Sequence, residues 1–248
     1  MQTQIGNILK LVVLFTLLTI SGSIGLILRL ISFGYLLNFN RKYLVPFSST
    51  LMLKVIGIQL ELPKENPIKN GQYFITFNHN SYLDIFALTA LGYTDTVFLL
   101  SEKTLKIIPL TLSALSIGVF YIPEKHNHDR RIKFFKKLEG IVNSKKINIA
   151  GSSEGVHDHH HGIDKFNKGV YHMATVCKLN IIPLFIAIPE ESNPLNKYKN
   201  FKKGTIKTEL LETINTQNWT LKDLVTNKDG VREIYVKKFN ETHKISIT

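Results

Sequence analysis

Residues 73–91, YFITFNHNSYLDIFALTAL, contain a strand-like apolar run and a helix-like segment that are joined by a short polar turn. The run Tyr73–Phe77 is short, apolar and rich in aromatic residues, which is typical of a buried strand. Residues 82–91 have the apolar content of a helix, and Ser81 followed three residues later by Asp84 resembles a capping box at its start. A strand that leads into a helix in this way is the repeating unit of an α/β sheet.

The same alternation continues along the chain. Four more strands are predicted, at residues 96–100, 119–122, 147–150 and 180–188. Apolar residues at helical spacing predict a helix between the third and fourth strands of the whole series, with Ile132, Phe135, Leu138 and Val142 on one face, and residues 169–179 form another. The sequence therefore predicts an α/β layered domain with a largely parallel central sheet flanked by helices, preceded by N-terminal membrane helices.

The N-terminus carries a long uncharged stretch. Residues 11–28 contain no charge, and as a helix they reach roughly 27 Å, close to the ~30 Å hydrocarbon thickness of a bilayer. A cleaved signal peptide is the alternative, but the apolar stretch is longer than usual and has no clear A-x-A site. We expect a retained anchor, which either spans the bilayer or forms a hairpin in one leaflet.

Charges around the anchor predict its orientation. Lys10 lies on one side of it, and Arg29, Arg41 and Lys42 lie on the other. The positive-inside rule then places the following domain in the cytoplasm. The predicted bounds are 1–42 for the membrane anchor, 43–70 for an amphipathic surface segment and loop, and 71–248 for the main domain.

The composition restricts the partners. Lys and Arg outnumber Asp and Glu by 31 to 19, a formal charge of +12, which favours polyanions such as an anionic membrane or phosphate-bearing substrates. An RNA-binding signature is absent from the sequence, so nucleic acid is not expected. Cys177 is the only cysteine, so no internal disulfide forms, and its spacing favours core packing.

His79 and Asp84 flank the predicted turn. On a continuous helix two residues five positions apart point about 140° away from each other, whereas a turn between them allows their side chains to meet. Asp84 would then orient the imidazole through one ring nitrogen and leave the other to accept a proton. The alternative is structural: Asp84 only caps a helix, and His79 only satisfies a loop hydrogen bond.

Four segments in order resemble the glycerolipid acyltransferase family, which includes the lysophosphatidic acid acyltransferases. NHNSYLDIF (78–86) is similar to its H-x-x-x-x-D motif, and residues 99–122 to its lysine-containing second block. SSEGVHD (152–158) is similar to its Glu-Gly-Thr-Arg block, and residues 165–188 to its Phe-x-x-Gly helix and proline-containing strand. The resemblance covers roughly residues 50–225.

Two positions depart from the family pattern. Glu124 stands where the family usually has an arginine, so the phosphate contact is expected to pass to Arg130 or Arg131. Val156 and His157 replace the usual Thr-Arg, with loss of a hydroxyl and a permanent charge. Both changes fall at the expected acceptor-phosphate site.

The resemblance implies a function. A fatty acyl chain would pass from acyl-CoA or acyl-carrier protein to the free hydroxyl of 1-acyl-glycerol-3-phosphate, a lysophospholipid acceptor, giving phosphatidic acid. His79 would be the general base and Asp84 its partner. No metal or other cofactor is expected.

The resemblance and the charges also imply substrate-binding residues. Glu154 and Gly155 would bind the glycerol end of the acceptor. Lys103, Arg130 and Arg131 would contact substrate phosphates, because guanidinium and ammonium groups both bind phosphate.

Three alternatives remain open. The acceptor is a different lysolipid, or the histidines between His157 and His161 hold a transition metal in a membrane-anchored hydrolase. The third alternative is a non-catalytic basic membrane protein that binds anionic lipid.

Overall fold

Strand β2, Tyr73–Phe77, lies at the centre of the sheet. The computed structural model describes residues 2–65, 68, 72–155, 162–193 and 202–244. Within these ranges seven strands form one sheet in the order β1-β7-β6-β2-β5-β3-β4. Every pairing is parallel except that of β6 with β7. The predicted α/β class with a largely parallel sheet flanked by helices is confirmed.

The bounds of the elements are as follows. The strands are β1 Ile58–Glu61, β2 Tyr73–Phe77, β3 Thr96–Ser101, β4 Phe120–Ile122, β5 Asn148–Ser152, β6 Asn180–Ala187 and β7 Gly204–Leu210. The helices are α1 Gln2–Ile31, α2 Leu37–Phe39, α3 Val45–Ile56, α4 Asp84–Ala90, α5 Ile108–Ser116, α6 His128–Lys145, α7 Lys168–Val176 and α8 Leu224–Lys244, with a π-helical turn at Asn40–Leu44.

The two faces of the sheet bury separate cores. Ile75 and Phe77 of β2 point to the face that is covered by α1, α3, α4 and α5. Phe74 points to the opposite face, where α6, α7 and α8 pack. This alternation follows from the two-residue period of a strand, and it explains why β2 reads as a continuous apolar run. The sheet therefore separates an N-terminal helical layer from a C-terminal one.

The segment 43–62 differs from the surface segment that was expected. Met52, Leu53 and Ile56 of α3 are almost completely buried in the first core, and β1 pairs with β7 at the edge of the sheet. Pro46 is tolerated because it lies in the first turn of α3, where no intrahelical N–H is required. The predicted domain bounds 1–42, 43–70 and 71–248 remain predictions, but this segment contributes both core and sheet.

A single long helix forms the N-terminus. Among the described residues one helical stretch, Gly6–Ile31, has the length and composition of a membrane span, where several membrane helices were expected. It packs closely on α5, since a β-carbon at Gly22 would lie 2.6 Å from the backbone nitrogen of Ser113. The opposite side of α1 exposes large apolar residues, among them Ile8, Leu9, Val12, Ile20, Ile24 and Ile27.

Candidate active site

The turn after β2 is fastened to the neighbouring strand β6. Asn78 is fully buried. Its side-chain amide donates to the carbonyl of Ile186 (2.9 Å), and its side-chain oxygen accepts from the Ile186 N–H (2.8 Å). The asparagine side chain thus continues the strand pairing by one step while its backbone leaves the sheet. This fixes the point from which His79 projects.

His79 and Asp84 meet across the turn, as predicted. The distance between His79 Nδ1 and Asp84 Oδ2 is 2.9 Å. The Asp84 side chain is fully buried, and 17% of the His79 side chain is exposed. The Ser81 N–H donates to the same carboxylate oxygen at 3.0 Å, so the aspartate has a fixed orientation.

The predicted capping box is present in part. A capping box has two reciprocal hydrogen bonds. One of them forms here, from the Ser81 N–H to the carboxylate of Asp84. The Ser81 hydroxyl accepts from the Leu83 N–H and donates to Asn193 Oδ1, and the α-helix begins only at Asp84. Leu83 and Ser81 therefore belong to the turn, which leaves room for the bend between His79 and its partner.

The surroundings shift the pKa of His79 upward. Burial lowers this pKa, but the hydrogen bond and charge of Asp84 raise it, and the charge of Glu154 adds to them, so that the net shift is upward. With the Nδ1 proton directed at Asp84, the basic lone pair of the neutral ring is on Nε2. A histidine arranged in this way can accept a proton from a substrate hydroxyl and hold it against a nearby negative charge.

Glu154 supports the turn from the adjacent strand. Phe77 pairs with Ser152 in the sheet, so the residues two positions further on, His79 and Glu154, are neighbours. Glu154 Oε1 accepts from the backbone N–H of His79 (3.1 Å), and Oε2 accepts from the N–H of Asp164 (3.4 Å). Only 6% of Glu154 is exposed, and burial raises its pKa to about 7.

Gly155 has a local structural requirement. Its φ is +75°, in the left-handed region, and a β-carbon here would collide with the side-chain amide of Asn167. That amide donates to the carbonyl of Glu154. The glycine therefore allows Asn167 to hold the loop that carries Glu154.

The model of the acyltransferase family matches residues 59–187, which contain His79, Asp84, Glu154 and Gly155. The chain belongs to the acyltransferase family. It is 26% identical over 199 residues to the 1-acyl-sn-glycerol-3-phosphate acyltransferase of Saccharomyces cerevisiae, a match that covers 77% of this chain and 63% of the relative. It is 22% identical over 186 residues to the human 1-acyl-sn-glycerol-3-phosphate acyltransferase alpha, with 75% and 65% covered.

A solved structure has the same fold. The crystal structure of the 1-acyl-sn-glycerophosphate (LPA) acyltransferase PlsC from Thermotoga maritima superimposes with a TM-score of 0.65 at 15% identity, over 92% of this chain and 95% of that chain. At this identity the likeness establishes the fold. The chain spans 63% of the yeast relative's length, which is less than two thirds.

The cations that were predicted to bind phosphate lie along the same sheet edge, further from His79. By strand order, Lys103 follows β3 and Glu124 follows β4, two and three strands from β2, or about 10 and 14 Å at the usual strand spacing. Lys103 lies 3.7 Å from the Glu124 carboxylate, and Arg130 is 2.9 Å from that of Glu102. Both cations are largely exposed, so a phosphate would compete with two acidic side chains.

Arg131 is turned toward the protein. Its guanidinium donates to the carbonyl of Pro123 (2.7 Å) and lies over the ring of Phe135. The roles predicted for Lys103, Arg130 and Arg131 remain predictions. Glu154 and Gly155 are beside the pair, but both carboxylate oxygens of Glu154 already accept backbone N–H groups.

Sequence reasoning missed a support from the C-terminal helix α8. Arg232 donates to the carbonyls of Ile163 (2.7 Å) and Asp164 (2.8 Å), and the Asp164 N–H then binds Glu154. Tyr235 donates to the carbonyl of Thr76 in β2. An arginine and a tyrosine on one helical face three residues apart are common, so the sequence offers no distinctive signal for this contact.

The histidine cluster between His157 and His161 lies outside the described residues. Within the ranges that the structure describes, no group of three or more histidine, cysteine, aspartate or glutamate side chains is placed to hold a metal ion. An open apolar cavity of about 620 Å³ lies beside the N-terminal helices. It is lined by Phe39, Lys42, Tyr43, Leu44, Pro46, Phe47 and Thr50.

Proposed function

We propose that this chain is an O-acyltransferase that moves a fatty acyl chain from an acyl thioester to the free hydroxyl of 1-acyl-glycerol-3-phosphate, giving phosphatidic acid. The observation that carries the proposal is the contact between His79 and the buried Asp84. The names of the relatives, each a 1-acyl-sn-glycerol-3-phosphate acyltransferase, support the choice of acceptor. The donor is acyl-CoA or acyl-carrier protein.

The proposed reaction needs one base and no covalent intermediate with the enzyme. His79 Nε2 accepts the proton of the acceptor hydroxyl as its oxygen attacks the thioester carbonyl carbon. The tetrahedral intermediate then collapses with cleavage of the C–S bond, and the imidazolium returns the proton to the thiolate. Asp84 stabilises the imidazolium between these two steps, and such acid–base help contributes about 10²–10⁴-fold.

The test is an acyl-transfer assay on the purified protein. Labelled acyl-CoA and acyl-carrier protein would be offered with a panel of lysolipids that differ in headgroup. We expect product from phosphate-bearing acceptors, loss of activity in His79→Ala and Asp84→Asn, and retained activity in His172→Ala, a control at a partly exposed histidine of α7. Equal use of neutral acceptors would instead support a broader lysolipid acyltransferase.

The other two alternatives give different results in the same assay. A metal-dependent hydrolase would release free fatty acid and lose activity with a chelator. A non-catalytic lipid-binding protein would give no product, and its lipid binding would be unchanged in His79→Ala.

We also propose that the enzyme is membrane-bound, with α1 as anchor and the catalytic domain facing the cytoplasm. The exposed apolar side of α1 and the positive charges at Arg29 and Lys42 support this arrangement. Protease digestion of sealed, inside-out vesicles tests it: the domain should be cleaved there and protected in right-side-out vesicles.

A further inference from the structure

The outer face of helix α6 is a basic surface. Within His128–Lys145 there are six Lys or Arg residues and two acidic residues. Leu138 and Val142 are buried against the second core, whereas Lys133, Lys136 and Lys137 are exposed. Among the described residues no ion pair includes these three lysines. Their spacing of three and four residues places them on one face.

The same face has two features of a protein interface. Ile132, one turn from Lys136, is 66% exposed, and an apolar side chain among cations suits the centre of a protein contact. Gly140, one turn beyond Lys136 and Lys137, has open space where its β-carbon would be. Glycine inside a helix is destabilising by about 1 kcal/mol relative to alanine, and none of the residues that the structure describes lies close enough to Gly140 to require it. A partner helix could approach the backbone closely at this position.

The fold separates this face from the proposed membrane side. Helix α6 packs on the face of the sheet that carries the second core, while α1 packs on the opposite face. The exposed lysines on α6 and the exposed isoleucines on α1 therefore point in opposite directions. With α1 in a bilayer, the outer face of α6 is directed at the aqueous phase, where its partner is a soluble protein.

The face also lies within reach of the site. Helix α6 follows β4, whose C-terminal end lies on the same sheet edge as His79, three strands away, or about 14 Å. A protein held on α6 can extend a flexible thioester arm along this edge.

We propose that the outer face of α6, defined by Ile132, Lys133, Lys136, Lys137 and Gly140, docks an acidic acyl-carrier protein that delivers the acyl thioester. The proposal rests on the proposed function, because it names the donor for the same site. Complementary charge speeds association and selects the carrier over neutral proteins. The carrier leaves with a free thiol after its acyl group has formed the new ester.

The test compares two donors in one enzyme. Palmitoyl-acyl-carrier protein and palmitoyl-CoA would be used with wild type and with the double variant Lys133→Glu/Lys136→Glu. We expect kcat/KM for the carrier donor to fall at least tenfold and kcat/KM for palmitoyl-CoA to stay within about twofold. Equal changes with both donors, or no change with either, would overturn the docking surface.

A matched control separates docking from general charge effects. Lys222→Glu/Lys237→Glu reverses the same number of charges at exposed positions of the C-terminal region, and should leave both donors unaffected. A large loss with this control would refute a specific contact at α6.

A neutral variant tests the close approach at Gly140. Gly140→Gln adds bulk without charge and should raise KM for the carrier donor at least threefold. Gly230→Gln is its control, because Gly230 in α8 also has open space at its β-carbon, and it should leave KM unchanged. Thermal unfolding of both variants would show that neither is destabilised.

Direct titration of the palmitoyl-acyl-carrier protein onto the wild-type enzyme decides the docking independently of transfer. Binding that weakens with salt and is lost in Lys133→Glu/Lys136→Glu supports it, and absence of binding at low salt refutes it. Failure of both donors to give product would refute the proposed function alone. Loss of anionic-vesicle binding in the double variant would assign the lysines to lipid and overturn the proposal.

Discussion

At the scale of single residues, Asp84 raises the pKa of His79 through its hydrogen bond and its charge. Replacing Asp84 by asparagine removes the charge that helps raise the pKa of His79 and leaves the lowering effect of burial. The rate requires a neutral imidazole, so the acidic limb of the kcat–pH profile should move to lower pH. Loss of the oriented tautomer should also lower the plateau of kcat by about 10²–10⁴-fold. The measurement is kcat from pH 5 to 9 for both proteins.

A surface replacement provides the comparison. Asp229→Asn changes an exposed aspartate of α8 and should keep both the position of the limb and the plateau. An Asp84→Asn enzyme with the wild-type profile would show that the carboxylate does not act on the imidazole.

Glu154 should make stability depend on pH. Burial raises its pKa from 4.5 to about 7, so between these values the native protein holds a proton that the unfolded chain releases. The free energy of unfolding therefore falls as pH rises through this window, by up to about 3 kcal/mol. In Glu154→Gln this part of the decrease in the free energy of unfolding should be absent. Urea unfolding at pH 5 and pH 8 in one detergent measures the difference.

The same experiment on Glu233→Gln, at an exposed glutamate of α8, should reproduce the wild-type fall. An identical pH dependence in wild type and Glu154→Gln would contradict the raised pKa.

The sequence predicted the pair but not its supports. The contact between His79 and Asp84 followed from a bend between two residues five positions apart, and the structure confirms this contact. Their catalytic role remains a prediction. The hydrogen bond between Glu154 and the His79 backbone depends on the register of β2 with β5. Local sequence patterns do not specify this register, because both strands are buried on both faces and lack a polar–apolar alternation.

At the scale of elements, helix α8 should act on the site through Arg232. In Arg232→Met the carbonyls of Ile163 and Asp164 lose their hydrogen-bond donors. This loss weakens the hydrogen bond from the Asp164 N–H to Glu154. A lost hydrogen bond to a charged group is worth about 1.5–3 kcal/mol, so kcat should fall roughly tenfold or more. KM for the acceptor should change little, because the substitution displaces His79 and leaves the residues that contact the acceptor in place.

Arg232→Lys retains one donor and should recover part of kcat. A rise in acceptor KM at constant kcat would show that Arg232 does not act by positioning His79. It would instead support the predicted contact between Glu154 and the acceptor. Circular dichroism of both variants checks that α8 remains helical.

The elements with strong periodicity were predicted best. The five strands expected from apolar runs are all present, with ends displaced by a few residues at most. Strands β1 and β7 were missed. Strand β1 follows directly on the buried helix α3, and in β7 the exposed Lys207 and Glu209 alternate with buried residues, so neither strand is a continuous apolar run. The contacts that helix α8 makes with the site were not predicted, because its polar surface outweighs its few buried residues, such as Val231 and Tyr235.

At the scale of the whole molecule, the sheet separates the exposed apolar surface of α1 from the exposed basic surface of α6. The exposed isoleucines of α1 lie on one side, and the exposed lysines of α6 lie on the other. This division could not be predicted from the sequence. The total charge of +12 does not say on which face of the sheet the charged helices pack. The two partners that we propose, a bilayer and a soluble donor, would then contact the protein at the same time without competing.

The apolar side of α1 should determine membrane binding. Ile20 and Ile27 are seven residues apart, on the same face of the helix, and are 51% and 57% exposed. Glutamate at both positions removes roughly 1.5–3 kcal/mol of apolar burial per side chain and adds two charges. The partition coefficient onto anionic vesicles should therefore fall at least tenfold, as measured by flotation. Val225→Glu/Ile234→Glu in α8, on the opposite side of the sheet, should leave partition unchanged, and an equal loss there would show that the bilayer does not meet α1 alone.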